Sequence, residues 1–432
     1  MWTMAEVNVS PDEEERVHFR RIVAAFKCYR ELYETRLRRA ETNLRKLSAR
    51  HQQLLQSYKL HLRSVRECIE KNAEVLSAFV QDAYALFDNA DEFERGGRDE
   101  PPTWQDIEKL QATLKSVYRD WTVEGALERD QCYKPILEAI DNHFSTEKAF
   151  RQEIKILVPG AGLGRLMFEV ACRGYSCQGN EVSYFMLLSS YFLLNRCHTA
   201  HMFTIYPWVH NFANNLTCES QTRGVTFPDA VASEILSSSD LMSMAAGDFM
   251  EIYHENAYWD CVATCFFIDC SSNVVDCIEK IYSILKPGGI WVNLGPLLYH
   301  YSDATTKQPL VEPPFDIVLS IIKKFGFDVQ TVRYNVESTY AHNTESLLQY
   351  KYKSIFFVCT KPVPVHQMEA HTVVEENVEN AAGTSSSQSE NPSCTNPTAS
   401  SESHTKKRKS KPNSEETQDN SDSPTTDVQS DK

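Results

Sequence analysis

Three glycines spaced two apart, Gly160, Gly162 and Gly164, lie in "VPGAGLGRL" between a β-branched run and a helical pattern. Residues 154–158 read as a short buried strand and residues 163–170 as the start of a helix, so the glycines sit at a strand-to-helix turn. Glycine there lets the backbone approach a ligand closely, and the helix N-terminus offers free N–H groups. The chemistry is that of holding a small molecule with anionic or hydroxyl groups. The dinucleotide pattern G-x-G-x-x-G is not met, because the sixth position is Arg165 and the third glycine comes one residue early; a phosphate loop would need Lys followed by Ser or Thr.

Acidic residues follow at the ends of the next strand-like segments. Glu181 ends "YSCQGNE", where a carboxylate can accept hydrogen bonds from both hydroxyls of a ribose. Asp248 and Phe249 lie in "AGDFMEI", and Lys286 to Gly289 form a Pro-Gly-Gly turn in "LKPGGIWV". Asp269 ends the apolar "WDCVATCFFID" and His300 follows "GGIWVNLGPLLY", which puts both at the carboxyl edge of a sheet, where open α/β folds place ligands. Asp269 also suits a helix N-cap before "CSSN", and His300 an ordinary loop position. Together the ordered signals form the pattern of class I methyltransferases, which bind S-adenosyl-L-methionine across the carboxyl ends of the strands.

These side chains need elements to carry them. Strand-like and helical segments alternate after the glycine turn, which implies a mostly parallel sheet with helices on both faces. "FGFDVQTVRY" and "YKSIFFVCTK" read as two late strands with no ordinary helix between them, an antiparallel edge pair. Before the turn, residues 13–87 carry almost no Gly or Pro, and Phe19, Ile22, Val23, Phe26, Tyr29 and Tyr33, then Leu54, Leu55, Tyr58, Leu62, Val65 and Ile69, recur at helical spacing. The fold class is thus α/β, Rossmann-like, preceded by an α-helical N-terminal region. We expect a helical region at 1–100, a methyltransferase domain at 101–362 and a disordered acidic, Ser-rich tail at 363–432, whose composition cannot bury enough apolar area to offset chain entropy.

Composition bounds the function. The chain has 432 residues and a net charge of -15, which disfavours a duplex-binding surface of clustered Lys and Arg. The basic run of Arg36, Arg38, Arg39, Arg45 and Lys46 has Glu31, Glu34 and Glu41 as neighbours and reads as a solvated helix face. No basic start precedes an apolar core, and no segment reaches the ~18 apolar residues of a membrane span. The 13 cysteines include no C-x-x-C pair, so reduced thiols and no metal are expected. "KKRKSKP" at 406–412 is a basic cluster of the nuclear-import type, so cytoplasmic and nuclear localisation is the expectation.

Over residues 104–361, the strings "VPGAGLGRL", "CQGNE", "YPWVHNFANN", "AGDF", "WDCVATCFFID", "LKPGGIWVNLGPLLYH" and "QYKYKS" resemble the carnosine N-methyltransferase family. The resemblance implies methyl transfer from S-adenosyl-L-methionine to the imidazole of carnosine, giving anserine and extending to other histidine-containing dipeptides. The cofactor contacts it implies fall on Arg119, Gly160, Gly162, Glu181, Asp248, Phe249 and Cys265, with Ser116 standing where the family has a glutamine. The implied substrate contacts are Phe266, Asp269, His300, Tyr350 and Tyr352, and the implied assembly is a homodimer. We expect Asp269 to be catalytic by accepting the N–H of the non-reacting imidazole nitrogen, which selects the tautomer and stabilises the developing imidazolium. The alternatives are a methyltransferase acting on histidine in peptides or proteins, and a non-catalytic binding protein on the same fold.

Overall fold

The computed structural model describes residues 13–86, 100–145, 147–235, 241–300 and 310–364. The Ser-rich tail beyond 364 and its "KKRKSKP" cluster lie outside the described residues, and those described belong to one compact unit, Met1–Ala370.

Among the described residues nine strands follow in chain order: β1 (Lys155–Pro159), β2 (Ser176–Glu181), β3 (Phe203–Ile205), β4 (Val225–Phe227), β5 (Met242–Ala246), β6 (Trp259–Cys265), β7 (Leu285–Gly295), β8 (Asp328–Ser338) and β9 (Tyr352–Thr360). Seven make one sheet in the order β5-β2-β1-β6-β7-β9-β8. The β1–β2, β2–β5, β1–β6 and β6–β7 pairs are parallel, whereas β9 runs antiparallel to both β7 and β8. The strand order reverses between β1 and β6, and a crevice at such a point, beyond the carboxyl ends of the strands, is where open α/β sheets hold ligands. The expected Rossmann-like sheet and its antiparallel edge pair are both present.

Two features were not anticipated. Strands β3 and β4 form a separate antiparallel pair, and a helix spans Phe315–Lys324 just before β8. Strands of three residues are too short to show an alternation. The helix buries only Val318 and Ile322, a narrow stripe in a short segment.

The N-terminal helices Glu13–Arg45 and Gln56–Phe79 contribute to the same core as the sheet. Phe19, Ile22, Val23, Phe26, Tyr29 and Tyr33 are all buried, as their spacing predicts. Leu62, Val65 and Ile69 are buried too, but Leu54 is 71% exposed, because it lies at the turn between helices and beyond the reach of the core. Within the basic run Arg38 pairs with Glu34 at 3.0 Å, and Glu34 and Glu41 each also bind Arg66 of the second helix at 2.9 Å.

A buried polar network ties these helices to the body. Asn72 donates to the Tyr206 carbonyl at 3.0 Å and accepts from its N–H at 2.8 Å, and Tyr29 Oη lies 2.5 Å from His210 Nε2. Burial, reinforced by Lys115 and Arg36, lowers the His210 imidazole to about 3. Between about pH 6.5 and that value the unfolded chain binds a proton that the folded chain refuses, so this contribution to stability is complete above about pH 6.5 and is lost on acidification. In urea melts across this range, His210→Gln should lose stability less steeply with falling pH than the native chain.

Candidate active site

A cavity of about 1040 Å³ opens at the carboxyl edge of the sheet. It gathers Ser116, Arg119, Gly160, Gly162, Glu181, Asp248, Phe249, Cys265, Phe266, Asp269, His300 and Tyr352, residues spread over more than half of the chain. Tyr350 is not among its walls; it is 66% exposed and lines a second cavity of about 480 Å³.

The glycine turn is built as the spacing requires. Gly160, Gly162 and Gly164 have φ of 64°, 55° and 80°, a left-handed region in which side chains are strained. A Cβ at Gly160 would stand 2.5 Å from the Phe267 ring, whereas one at Gly162 would meet nothing within 4 Å. Gly162 therefore borders open cavity space that a ligand can occupy.

Glu181 fastens this loop. Its Oε2 accepts from Gly162 N at 2.9 Å, and its Oε1 from Val182 N at 3.0 Å and Ser183 N at 2.8 Å. Burial raises its carboxyl against the opposing pull of these three donors. An ionised carboxylate has about four acceptor sites, so roughly one remains for a ligand hydroxyl. Besides the ribose contact expected of it, Glu181 has a role that spacing did not reveal, holding the loop to the end of β2.

Arg119 comes from the helix Trp104–Trp121, opened by a capping box of Thr103 and Asp106. Its guanidinium lies between two aromatic faces, 4.9 Å from the Tyr133 centroid and 4.5 Å from that of Tyr340. Nη1 reaches Asp120 at 3.2 Å and Nε lies 3.5 Å from Glu128, but Nη2 is buried with no hydrogen-bond partner. An unpaired buried donor beside a cavity is costly, and a ligand carboxylate would relieve it. Open space at Gly162 and this vacant donor fit the amino-acid portion of S-adenosyl-L-methionine.

Asp248 caps the short helix Phe249–Ile252, accepting from Met250 N at 2.7 Å, while Phe249 is buried edge-on to Phe267 at 5.5 Å. Cys265 ends β6; the neighbouring Cys132 thiol and burial push its own thiol well up, so it lines the wall as a neutral group.

The acceptor side follows β6 directly. Phe266 has φ 53° and turns its ring toward Tyr340 at 5.1 Å and Tyr352 at 5.6 Å. Asp269, 1% exposed, accepts from Leu298 N at 2.7 Å through Oδ2; its Oδ1 has the Cys270 thiol at 4.0 Å. The helix N-cap belongs to Asn273, which accepts from Val275 N at 3.0 Å, so capping does not account for Asp269. Burial raises its carboxyl, opposed by the Leu298 N–H and by His300. His300 is set by its own N–H, which donates to the Asp269 carbonyl at 3.1 Å, and its Nδ1 lies 3.5 Å from Cys270 Sγ.

Two positioning features escaped the sequence reading. Tyr340 touches both Arg119 and Phe266, joining the two halves of the site. Arg165, noted only because it breaks a dinucleotide pattern, donates to the Asp120 carbonyl at 2.8 Å and to Asp229 at 2.6 Å; Arg129 reaches the other Asp229 oxygen, also at 2.6 Å. Among the described residues, no group of three or more His, Cys, Asp or Glu could hold a metal, and no helix is long and apolar enough to cross a membrane.

Comparison with known proteins agrees with this arrangement. A family model described as carnosine N-methyltransferase matches residues 97–363. The mouse protein named carnosine N-methyltransferase is 44% identical over 81% of this chain and 88% of its own length. One of that name from Schizosaccharomyces pombe is 36% identical over 81% of this chain and 96% of its own. The Drosophila melanogaster carnosine N-methyltransferase unmet is 42% identical over 83% of each. With the family model covering more than half of its length and these relatives aligned along most of it, the chain belongs to the carnosine N-methyltransferase family.

Proposed function

We propose that this chain methylates the histidine imidazole of carnosine, using S-adenosyl-L-methionine, to give anserine. The observation that carries this reading is Asp269, buried at the carboxyl edge with one oxygen fixed by Leu298 N and the other turned to the thiol-lined cavity wall. When bound, S-adenosyl-L-methionine supplies an electrophilic methyl group on sulfur. Arg119 and the Gly160–Gly162 backbone hold its amino-acid end, and Glu181, Asp248 and Phe249 line the space for its nucleoside.

The protein's task is then to present an imidazole nitrogen with a free lone pair. Asp269 accepts the N–H of the other nitrogen, selecting that tautomer and stabilising the ring as it becomes cationic. Phe266, Tyr352 and His300 border the same space and orient the ring. Such alignment is worth up to roughly 7–11 kcal/mol in model reactions.

The test is incubation with labelled S-adenosyl-L-methionine and, separately, carnosine, free histidine and a histidine-containing protein extract, followed by mass spectrometry. Label on the carnosine imidazole supports the reading; label only in protein moves the acceptor to polypeptide histidine. Gly160→Ala should weaken S-adenosyl-L-methionine binding about tenfold or more by calorimetry, since the left-handed backbone alone costs an alanine about 1–2 kcal/mol and its methyl meets Phe267.

The same reading includes a homodimer, supported by the resemblance and by exposed Leu47, Leu54 and Leu60 at one end of the N-terminal helices; sedimentation at the monomer mass would oppose it. It places the protein in cytoplasm and nucleus, and deleting residues 406–412 should reduce the nuclear fraction.

A further inference from the structure

The segment that follows β8 is built around one buried carboxylate. Strand β8 ends at Ser338 and β9 begins at Tyr352, and Tyr340 lies between them with 44% of its surface exposed, so core packing does not fix its ring. The backbone beside it is held by Glu128, which is 5% exposed on the helix Ala126–His143. Glu128 Oε1 accepts from Ala341 N, and Oε2 accepts from His342 N at 3.0 Å. Ala341 has φ 49°, a left-handed backbone that strains any residue with a Cβ. Two successive N–H groups beside a left-handed residue make a concave nest for an anion, and here the Glu128 carboxylate fills it. Without that carboxylate nothing offsets the strain, and the turn that carries Tyr340 relaxes.

The same oxygen, Oε1, lies 3.5 Å from Arg119 Nε. Glu128 thus joins the cation on the methyl-donor side of the site to the turn that carries Tyr340. The Tyr340 ring in turn spans the two sides, with the Arg119 guanidinium 4.5 Å from its centroid and the Phe266 ring at 5.1 Å. A ligand carboxylate that pairs with the vacant Arg119 Nη2 fixes the guanidinium in place, and a fixed cation is a better partner for the Tyr340 face. A settled Tyr340 then keeps Phe266 ready for the acceptor. We propose that Glu128 is a positioning residue that makes the binding of methyl donor and acceptor favour each other, by holding Tyr340 between Arg119 and Phe266. This inference rests on the reading of S-adenosyl-L-methionine and carnosine as the two ligands, and concerns how the protein couples them.

The test is calorimetric titration of carnosine into the full-length protein, with and without saturating S-adenosylhomocysteine, the donor lacking its methyl group. The native protein should bind carnosine about fivefold or more tighter when S-adenosylhomocysteine is present, and the reverse titration should give the same factor. In Glu128→Gln, which keeps one acceptor oxygen but not two, the factor should fall below about twofold. Ala341→Pro breaks the same grip from the turn, because proline has no N–H to give Glu128 and cannot adopt a positive φ. Ala341 belongs to neither apolar core, so this variant decides the matter should Glu128→Gln fail to fold, and it should show the same loss of coupling. Tyr340→Phe keeps the ring and should keep the coupling. Equal carnosine affinity with and without S-adenosylhomocysteine in the native protein, native coupling in Ala341→Pro, or lost coupling in Tyr340→Phe overturns the inference while carnosine binding stands. Carnosine binding under neither condition overturns the functional reading, and the inference with it.

Discussion

Asp269→Asn is expected to lower kcat for carnosine by roughly 100- to 10,000-fold while S-adenosyl-L-methionine binds with a Kd within about twofold of native. The amide matches the carboxylate in size, and its oxygen can still accept from Leu298 N, which now lies 2.7 Å from Oδ2. That leaves the NH2 group facing the cavity, a donor where the acceptor's N–H needs an acceptor. The wrong tautomer is then held, with its lone pair turned from the methyl donor.

Stability distinguishes this from a general loss of structure. A carboxyl that burial raises above its unfolded value is a net cost to the fold when ionised, a cost relieved as pH falls through the raised value. Asn carries no charge, so the variant should melt at or above the native temperature. Steady-state kinetics, calorimetric titration and a thermal melt on one preparation test this together. Turnover within tenfold of native would remove Asp269 from the mechanism.

Asp229→Ala should be the most destabilising single substitution around the site, by about 3–5 kcal/mol in urea denaturation. Asp229 neutralises Arg129 and Arg165 at 2.6 Å each, and all three side chains are at most 10% exposed. Without it two guanidinium groups remain buried with a lost counter-charge, and Arg165 opens the helix Arg165–Cys172 that follows the glycine turn. The glycine loop should loosen with it, so S-adenosyl-L-methionine binding should weaken too. Asp229→Asn keeps an acceptor and should cost less. A loss below about 1 kcal/mol for Ala would mean that the arginines find other partners.

Sequence alone determined the strand–glycine–helix turn, the alternation that makes a parallel sheet, the antiparallel closing strands, and Glu181 at the end of β2; Asp269 and His300, read as ending or following strands, lie instead in the segments beyond Cys265 and Gly295. Each of the first four is a local matter: a hydrophobic period, a glycine where φ is positive, or an acid where a strand stops. Only the tertiary structure decided the partners. It gave the N-cap to Asn273 and left Asp269 for the cavity, turned Glu181 onto Gly162 N, and set Tyr350 apart from Tyr352. It also brought Asp229 to Arg129, 100 residues away, and placed Tyr340 against Arg119. Such pairings depend on how distant segments pack, and a charge or ring in the chain carries no local mark of which group it will meet across the core.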